Sequence, residues 1–202
     1  KITNRLYYIF ELLLKEELGI NFKFTTDKES FLISENPKLH YDKYPFAEEP
    51  SLYQQASSLL FERDISDQDV KICNYKDSKA IYPVFNEKSL LPFDIFSASF
   101  YLISRYEEYL PHVSDQYNRF QPQDSILYKM NVIEKPIINI WAKELGELIK
   151  SYYPEIILRK KNFRFIPTYD IDAAWAYKNK GFFRTIASSC RDLLRLDINE
   201  IK

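Results

Sequence analysis

Gly19, Gly146 and Gly181 are the only glycines in a chain of 202 residues. Phosphate-cradling loops of the GxGxxG or GxxxxGK type need several closely spaced glycines, because the backbone must approach the phosphate and visit left-handed conformations. None can be built from three glycines more than thirty residues apart. Nucleotide-dependent folds that rest on such loops are therefore disfavoured. Two histidines, His40 and His112, rule out HExxH and other paired-histidine metal motifs within these residues. A lone strand histidine such as His40 is expected to be structural.

The remaining text predicts a globular protein with a real core. Hydrophobic residues make up 46%, with 16 Tyr and 15 Phe. These aromatics bring large apolar areas, and each Tyr brings a hydroxyl that wants a partner. Net charge is -1, so no global field draws in nucleic acid or a membrane surface. The charge is uneven, however. Arg159 to Arg195 carries nine basic residues against the three acids Asp170, Asp172 and Asp192. This stretch reads first as a solvated surface, and alternatively as a basic rim around an anion. Nucleic-acid binding is the weakest reading and is not expected. Cys73 and Cys190 match no metal or redox spacing, and both are expected to be buried free thiols. No apolar run approaches the roughly 20 residues that span a bilayer, so no transmembrane segment is expected. No secretory signal is present, which favours the cytoplasm. The first residue is Lys1 rather than Met, so the chain reads as a piece of a longer protein.

Periodicity gives a coarse map. Asn4 is expected to cap a helix through "RLYYIFELLLKEEL", with Leu6, Ile9, Phe10, Leu13 and Leu14 on one face and Gly19 as its stop. "INFKFTT" alternates as a strand does, and "SFLIS" and "KLHYDKY" read as further strands. "SSLLFE", "VKICNY" and "AIYPVF" are strand candidates, with "DISDQD" as a solvated loop. Asp94 caps a helix expected to run to Leu110 and to end at Pro111, with an Arg105–Glu108 surface ion pair. A polar loop with Asp115 and Arg119 comes next. Pro136 opens a further helix that Pro154 ends. "GFFRTIASSCRDLLRL" reads as an amphipathic helix.

This pattern predicts an α/β or α+β fold, a mixed sheet of short strands with helices packed on it. The basic "LRKKNFR" marks a boundary, giving residues 1–158 as one domain and 159–202 as the start of another.

Chemistry concentrates in "FIPTYDIDAAW". On a strand, residues two apart point the same way, so Asp170 and Asp172 would project together from a strand's C-terminal end. In α/β barrels and open parallel sheets, ligands and catalytic groups gather at that end. Two carboxylates suit a hard or borderline cation, or one can bind metal while the other takes a proton from water. Helix capping and pairing with Arg164 or Lys178 are the structural alternatives.

"PTYDID" resembles the first motif of the polysaccharide deacetylase family, metal-dependent carbohydrate esterases on a distorted (β/α) barrel. The resemblance implies that Thr168 and Tyr169 match the leading threonine and aromatic, and that Asp170 is the catalytic base. Ile171 stands where the family has its second acid, so Asp172 would be the metal ligand from one position later. The cofactor implied is a divalent ion, zinc in the family's pattern, and the substrate an N-acetylated sugar polymer attacked by metal-bound water. "LPFDIFSASFYLISRYEEYLP", the "NRF" loop and "TYDIDAAWAYKNKGFFR" are similar to a bacterial protein group in which an uncharacterised α/β domain precedes a deacetylase-like domain. On this reading the residues from 159 onward begin a (β/α) barrel, the site is completed beyond Lys202, and the present chain does not hydrolyse by itself. The rival expectation is a non-catalytic module that binds carbohydrate or protein through its Tyr- and Phe-rich first part.

Overall fold

A computed structural model describes residues 1–47, 52–170, 181–184, 186–187 and 190. The chain divides into two compact units, Lys1–Lys160 and Lys161–Lys202.

The first unit opens with helix α1, Asn4–Phe10. Thr3, not Asn4, caps it: Thr3 is extended, and its hydroxyl accepts from the Leu6 amide at 3.2 Å. Asn4 is already helical, so its side chain has no cap to make. The helix widens into a π-turn at Glu11–Glu17 and stops at Gly19, whose φ is +77°. A Cβ on Gly19 would stand 2.9 Å from the Arg159 Cβ. The expected stripe Leu6, Ile9, Phe10, Leu13 and Leu14 is buried throughout.

Beyond Gly19, Ile20, Phe22 and Phe24 alternate half-buried with exposed polar neighbours, but this stretch forms no strand. The alternation records one-sided packing without a partner strand. "SFLIS" is also not a strand. Asp27 accepts from the Glu29 amide at 3.0 Å and the Ser30 hydroxyl at 2.8 Å, and this cap starts helix α2, Lys28–Ile33.

Strand β1, Leu39–Asp42, pairs in parallel with β2, Leu52–Gln55. Strand β3, Ile72–Tyr75, forms an antiparallel hairpin with β4, Ser78–Ile81. The fold is mixed α/β, but among the described residues its strands lie in two two-stranded sheets rather than one mixed sheet. A physical reason lies at β2. The Gln54 side-chain amide accepts from the Leu91 N–H at 3.1 Å and donates to the Phe93 carbonyl at 3.0 Å. The Gln55 side-chain oxygen accepts from the Phe85 and Asn86 amides at 3.1 and 3.0 Å. Side chains thus satisfy backbone groups that a neighbouring strand would otherwise pair. "SSLLFE" folds as a 3₁₀ turn, Leu59–Phe61, instead of a strand.

Helix α3, Ile95–Ile103, is buried along most of its length and runs through the core. It stops earlier than the sequence predicts. Ser104 Oγ bonds back to the Phe100 carbonyl at 2.7 Å, and Arg105 turns left-handed at φ 51°. Tyr106–Tyr109 then form a 3₁₀ turn, and Arg105 pairs with Glu108 at 2.6 Å as expected. Short helix α4, Ile126–Lys129, comes next, and α5, Ile137–Tyr152, lies where the Pro136 and Pro154 signals put it. α5 packs Ile137, Trp141, Leu145 and Ile149 inward. Phe10 stacks on Phe96 at 3.9 Å, and Phe93 meets Trp141 at 5.0 Å. Lys76, Tyr82, Arg105, Asn118 and Asn131 take up positive φ where a glycine-richer chain would use glycine.

Arg159 closes the unit. Its amide donates to the Leu18 carbonyl at 2.7 Å, and its guanidinium to the Glu16 carbonyl at 2.5 Å. In the second unit, residues 161–170 form no strand, although a buried one is expected there. Phe163 is 93% exposed and Phe165 80%. Among the described residues this segment has no neighbouring strand, and an unpaired segment buries few of its side chains. No barrel is seen among the described residues. Most of the expected last helix, and Lys178, lie outside them. Cys73 is half-buried and Cys190 exposed, so neither is the buried thiol expected. Cys73 lies on the β3–β4 hairpin, at the margin of the core rather than within it. Among the described residues no helix is long and apolar enough to cross a membrane.

Candidate functional site

Asp170 lies exposed in the segment without secondary structure, and Asp172 lies outside the described residues. Their projection from one strand face is therefore not part of the described structure. Thr168 and Tyr169 are exposed beside Asp170. The histidines are elsewhere. His40 is buried in β1 and stacks on Phe46 at 3.9 Å, as a structural histidine does. His112 Nδ1 lies 2.8 Å from the Leu110 carbonyl. Among the described residues no three His, Cys, Asp or Glu side chains converge to hold a metal. The described donors therefore do not fit a zinc centre.

The first unit instead carries a groove of about 290 Å³. Phe10 of α1, Phe24 of the alternating segment, Phe31 of α2, Tyr41 of β1, and Phe46 and Phe61 supply its aromatic walls. The rings brace one another. Phe10 and Phe24 are 5.3 Å apart, Phe31 and Phe46 6.0 Å, and Tyr41 lies near-parallel to Phe61 at 5.9 Å. Phe61 remains 40% exposed. Polar groups share the lining: Thr25, Thr26, Asp27, Asp42 and Lys23. The Lys28 ammonium sits 4.9 Å from the Phe46 ring centre, a cation–π contact.

One buried acid holds Tyr41 in the groove wall. Asp94 Oδ1 accepts from the Phe96 and Ser97 amides, both at 3.1 Å, which caps α3. Its Oδ2 accepts from the Ser57 amide at 2.7 Å and from the Tyr41 hydroxyl at 2.8 Å. Three elements of the fold thus meet on one carboxylate: β1, the turn after β2, and α3. Burial pushes the Asp94 carboxyl above its ordinary value, against the pull of Ser97, Ser57 and Tyr41. Burial, and after it the charge of Asp94, holds the Tyr41 hydroxyl well above the usual phenol range. Tyr41 therefore stays a hydrogen-bond donor at neutral pH. This geometry positions the ring; it does not prepare a nucleophile.

The sequence identifies Asp94 as a cap but not Tyr41 or Ser57 as its partners. Nor does it identify the groove, whose aromatics come from six separate places. The aromatic content is the only signal that points to it.

The first unit is thus an α/β module of helices and short strands with an aromatic-lined groove. The chain belongs to DUF7033, a family of unknown function, whose profile matches residues 1–154. No curated protein and no solved structure matches it.

Proposed function

We propose that Lys1–Lys160 is a non-catalytic carbohydrate-binding module, and that the residues after it open a metal-dependent deacetylase of N-acetylated sugar polymers. The groove carries the first half of this reading. Sugar rings have apolar C–H faces and a polar rim. A wall of braced aromatic rings interleaved with threonine, carboxylate and lysine groups complements both. Bracing also lowers the ordering cost of binding, because Tyr41 and its neighbours are already held in place.

Calorimetric titration of the 202-residue chain with chitotetraose tests it. Saturable binding is expected, weakened at least about fivefold by Phe61→Ala, the size of loss typical when a contact aromatic is truncated. Phe61 is 40% exposed, so this variant is expected to keep its fold, with a thermal midpoint close to wild type. Undiminished binding by Phe61→Ala overturns the groove as the site.

The second half rests on "PTYDID", where Asp170 is the proposed base and Asp172 the proposed ligand of a divalent ion, zinc being the family's usual one. Two carboxylates are fewer than the protein ligands a zinc site takes, so a zinc titration of this chain is expected to show no tight stoichiometric site. Tight binding abolished by Asp172→Ala would contradict a site that needs residues from elsewhere.

A further inference from the structure

Pro83, Val84 and Phe85 leave the core through a turn that the sequence makes hard to form. Tyr82, a bulky residue, has φ 60°, a left-handed conformation that is costly without a glycine and persists only where the surroundings enforce it. The surroundings do so here. The Tyr82 ring is buried against Tyr101 at 5.9 Å, and the Tyr82 carbonyl accepts from the Asp94 amide at 2.9 Å. Val84 donates to the Pro92 carbonyl at 3.0 Å. The Phe85 and Asn86 amides both donate to the Gln55 side chain.

This strongly anchored backbone ends in a ring that is 86% exposed. Phe85 lines a second cavity, of about 260 Å³, together with Ser57, Ser58, Gln68, Asp69 and Lys71.

That polar rim is ordered by a carboxylate behind it. Glu62 accepts from the Ser58 hydroxyl at 2.7 Å, the Ser66 hydroxyl at 2.9 Å and the Gln68 amide at 2.9 Å. Burial pushes Glu62 up, but these donors outweigh it and hold the carboxyl below its ordinary value. It stays ionised at neutral pH, and Ser58 and Gln68 stay oriented. Lys71 and Asp69 pair at 3.0 Å, offering one donor and one acceptor side by side. A flat apolar face on one side, with the Lys71 ammonium as donor and the Asp69 carboxylate and the Ser58 and Gln68 oxygens as acceptors on the other, complements a single pyranose ring. The 3₁₀ turn Leu59–Phe61 links this cavity to the groove. Ser58 precedes it and lines one cavity, and Phe61 ends it and lines the other.

We propose that Phe85, with Ser58, Gln68, Asp69 and Lys71, forms a second sugar subsite, in which a pyranose ring stacks on Phe85 and its hydroxyls meet the polar rim. This subsite rests on the module taking carbohydrate, but it stands at different residues from the groove. The test is calorimetric titration of the 202-residue chain with chitotetraose, comparing wild type, Phe85→Ala, Phe85→Tyr and Phe61→Ala. Phe85→Ala is expected to weaken binding at least about fivefold, while Phe85→Tyr, which keeps the ring, binds as wild type does. The thermal midpoint of Phe85→Ala should match wild type, because the ring touches solvent. If Phe61→Ala weakens binding and Phe85→Ala does not, the groove stands and the second subsite falls. If only Phe85→Ala weakens binding, the subsite stands and the groove reading falls. If wild type does not bind chitotetraose, both fall.

Discussion

Asp94 and Asp170 are both aspartates that close an apolar stretch, and their surroundings differ completely. Asp94 is fully buried and meets four donors from three parts of the fold. Asp170 is exposed on a segment with no secondary structure. In sequence, "PFDIFS" and "PTYDID" look alike: a proline, an aromatic, an acid, an isoleucine. Their settings in the fold separate them. After Asp94, the chain continues as a helix whose first amides need an acceptor, and β1 and the turn after β2 bring two further donors. An acid so completely engaged has no lone pair left for chemistry. An exposed one keeps lone pairs open to solvent, without the fixed donors that would orient them. The comparison shows that a short motif names the residue type and not its role.

Removing the anchor should have the largest effect. Asp94→Ala leaves the Phe96, Ser97 and Ser57 amides and the Tyr41 hydroxyl without their partner. A lost cap and buried unsatisfied donors predict a destabilisation of about 3 kcal/mol or more, read by urea unfolding. A loss of under about 1 kcal/mol would show that Asp94 is no anchor.

The pH dependence sharpens the same point. Because burial raises the folded-state value of Asp94 above the unfolded one, its contribution to stability is fully present below the unfolded value. It is lost as pH rises through the folded value. Asp94→Asn removes this decline, so the stability difference between wild type and Asp94→Asn should shift towards the variant as pH rises from acid to neutral. A difference independent of pH contradicts the raised value.

Tyr41→Phe should cost less, about 1 kcal/mol, because one donor to Asp94 is lost while the ring stays. It should also loosen the groove wall where Tyr41 faces Phe61. Asp170→Asn should be the smallest change, within about 0.5 kcal/mol, as for an exposed substitution away from special structure. A large loss there would mean that Asp170 is engaged after all.

Local signals are legible in the sequence, and non-local ones are not. The apolar stripe of α1, the Asp94 cap, the bounds of α5 and the Arg105–Glu108 pair all arise within a few residues of one another. The α2 helix is hidden because "SFLIS" carries strand-like residues, whereas the Asp27 cap just upstream decides the matter. β2 is hidden because "LYQQ" has no apolar alternation, and its two glutamines act through their side chains. The end of α3 at Arg105 has no glycine or proline to mark it. The strand expected at residues 161–170 has the right residues but, among the described ones, no neighbour to pair with. The two cavities together draw on residues spread from Lys1 to Phe85, a convergence that only the folded chain reveals.

Backbone amide chemical-shift mapping of the 202-residue chain with chitotetraose tests the central claim most directly. The account predicts shifts at Thr25, Thr26 and Phe61 in the groove and at Ser58, Lys71 and Phe85 beside it, with residues 161–170 unmoved. Shifts confined to residues 161–170, around Asp170, would contradict it and return carbohydrate recognition to the acidic motif.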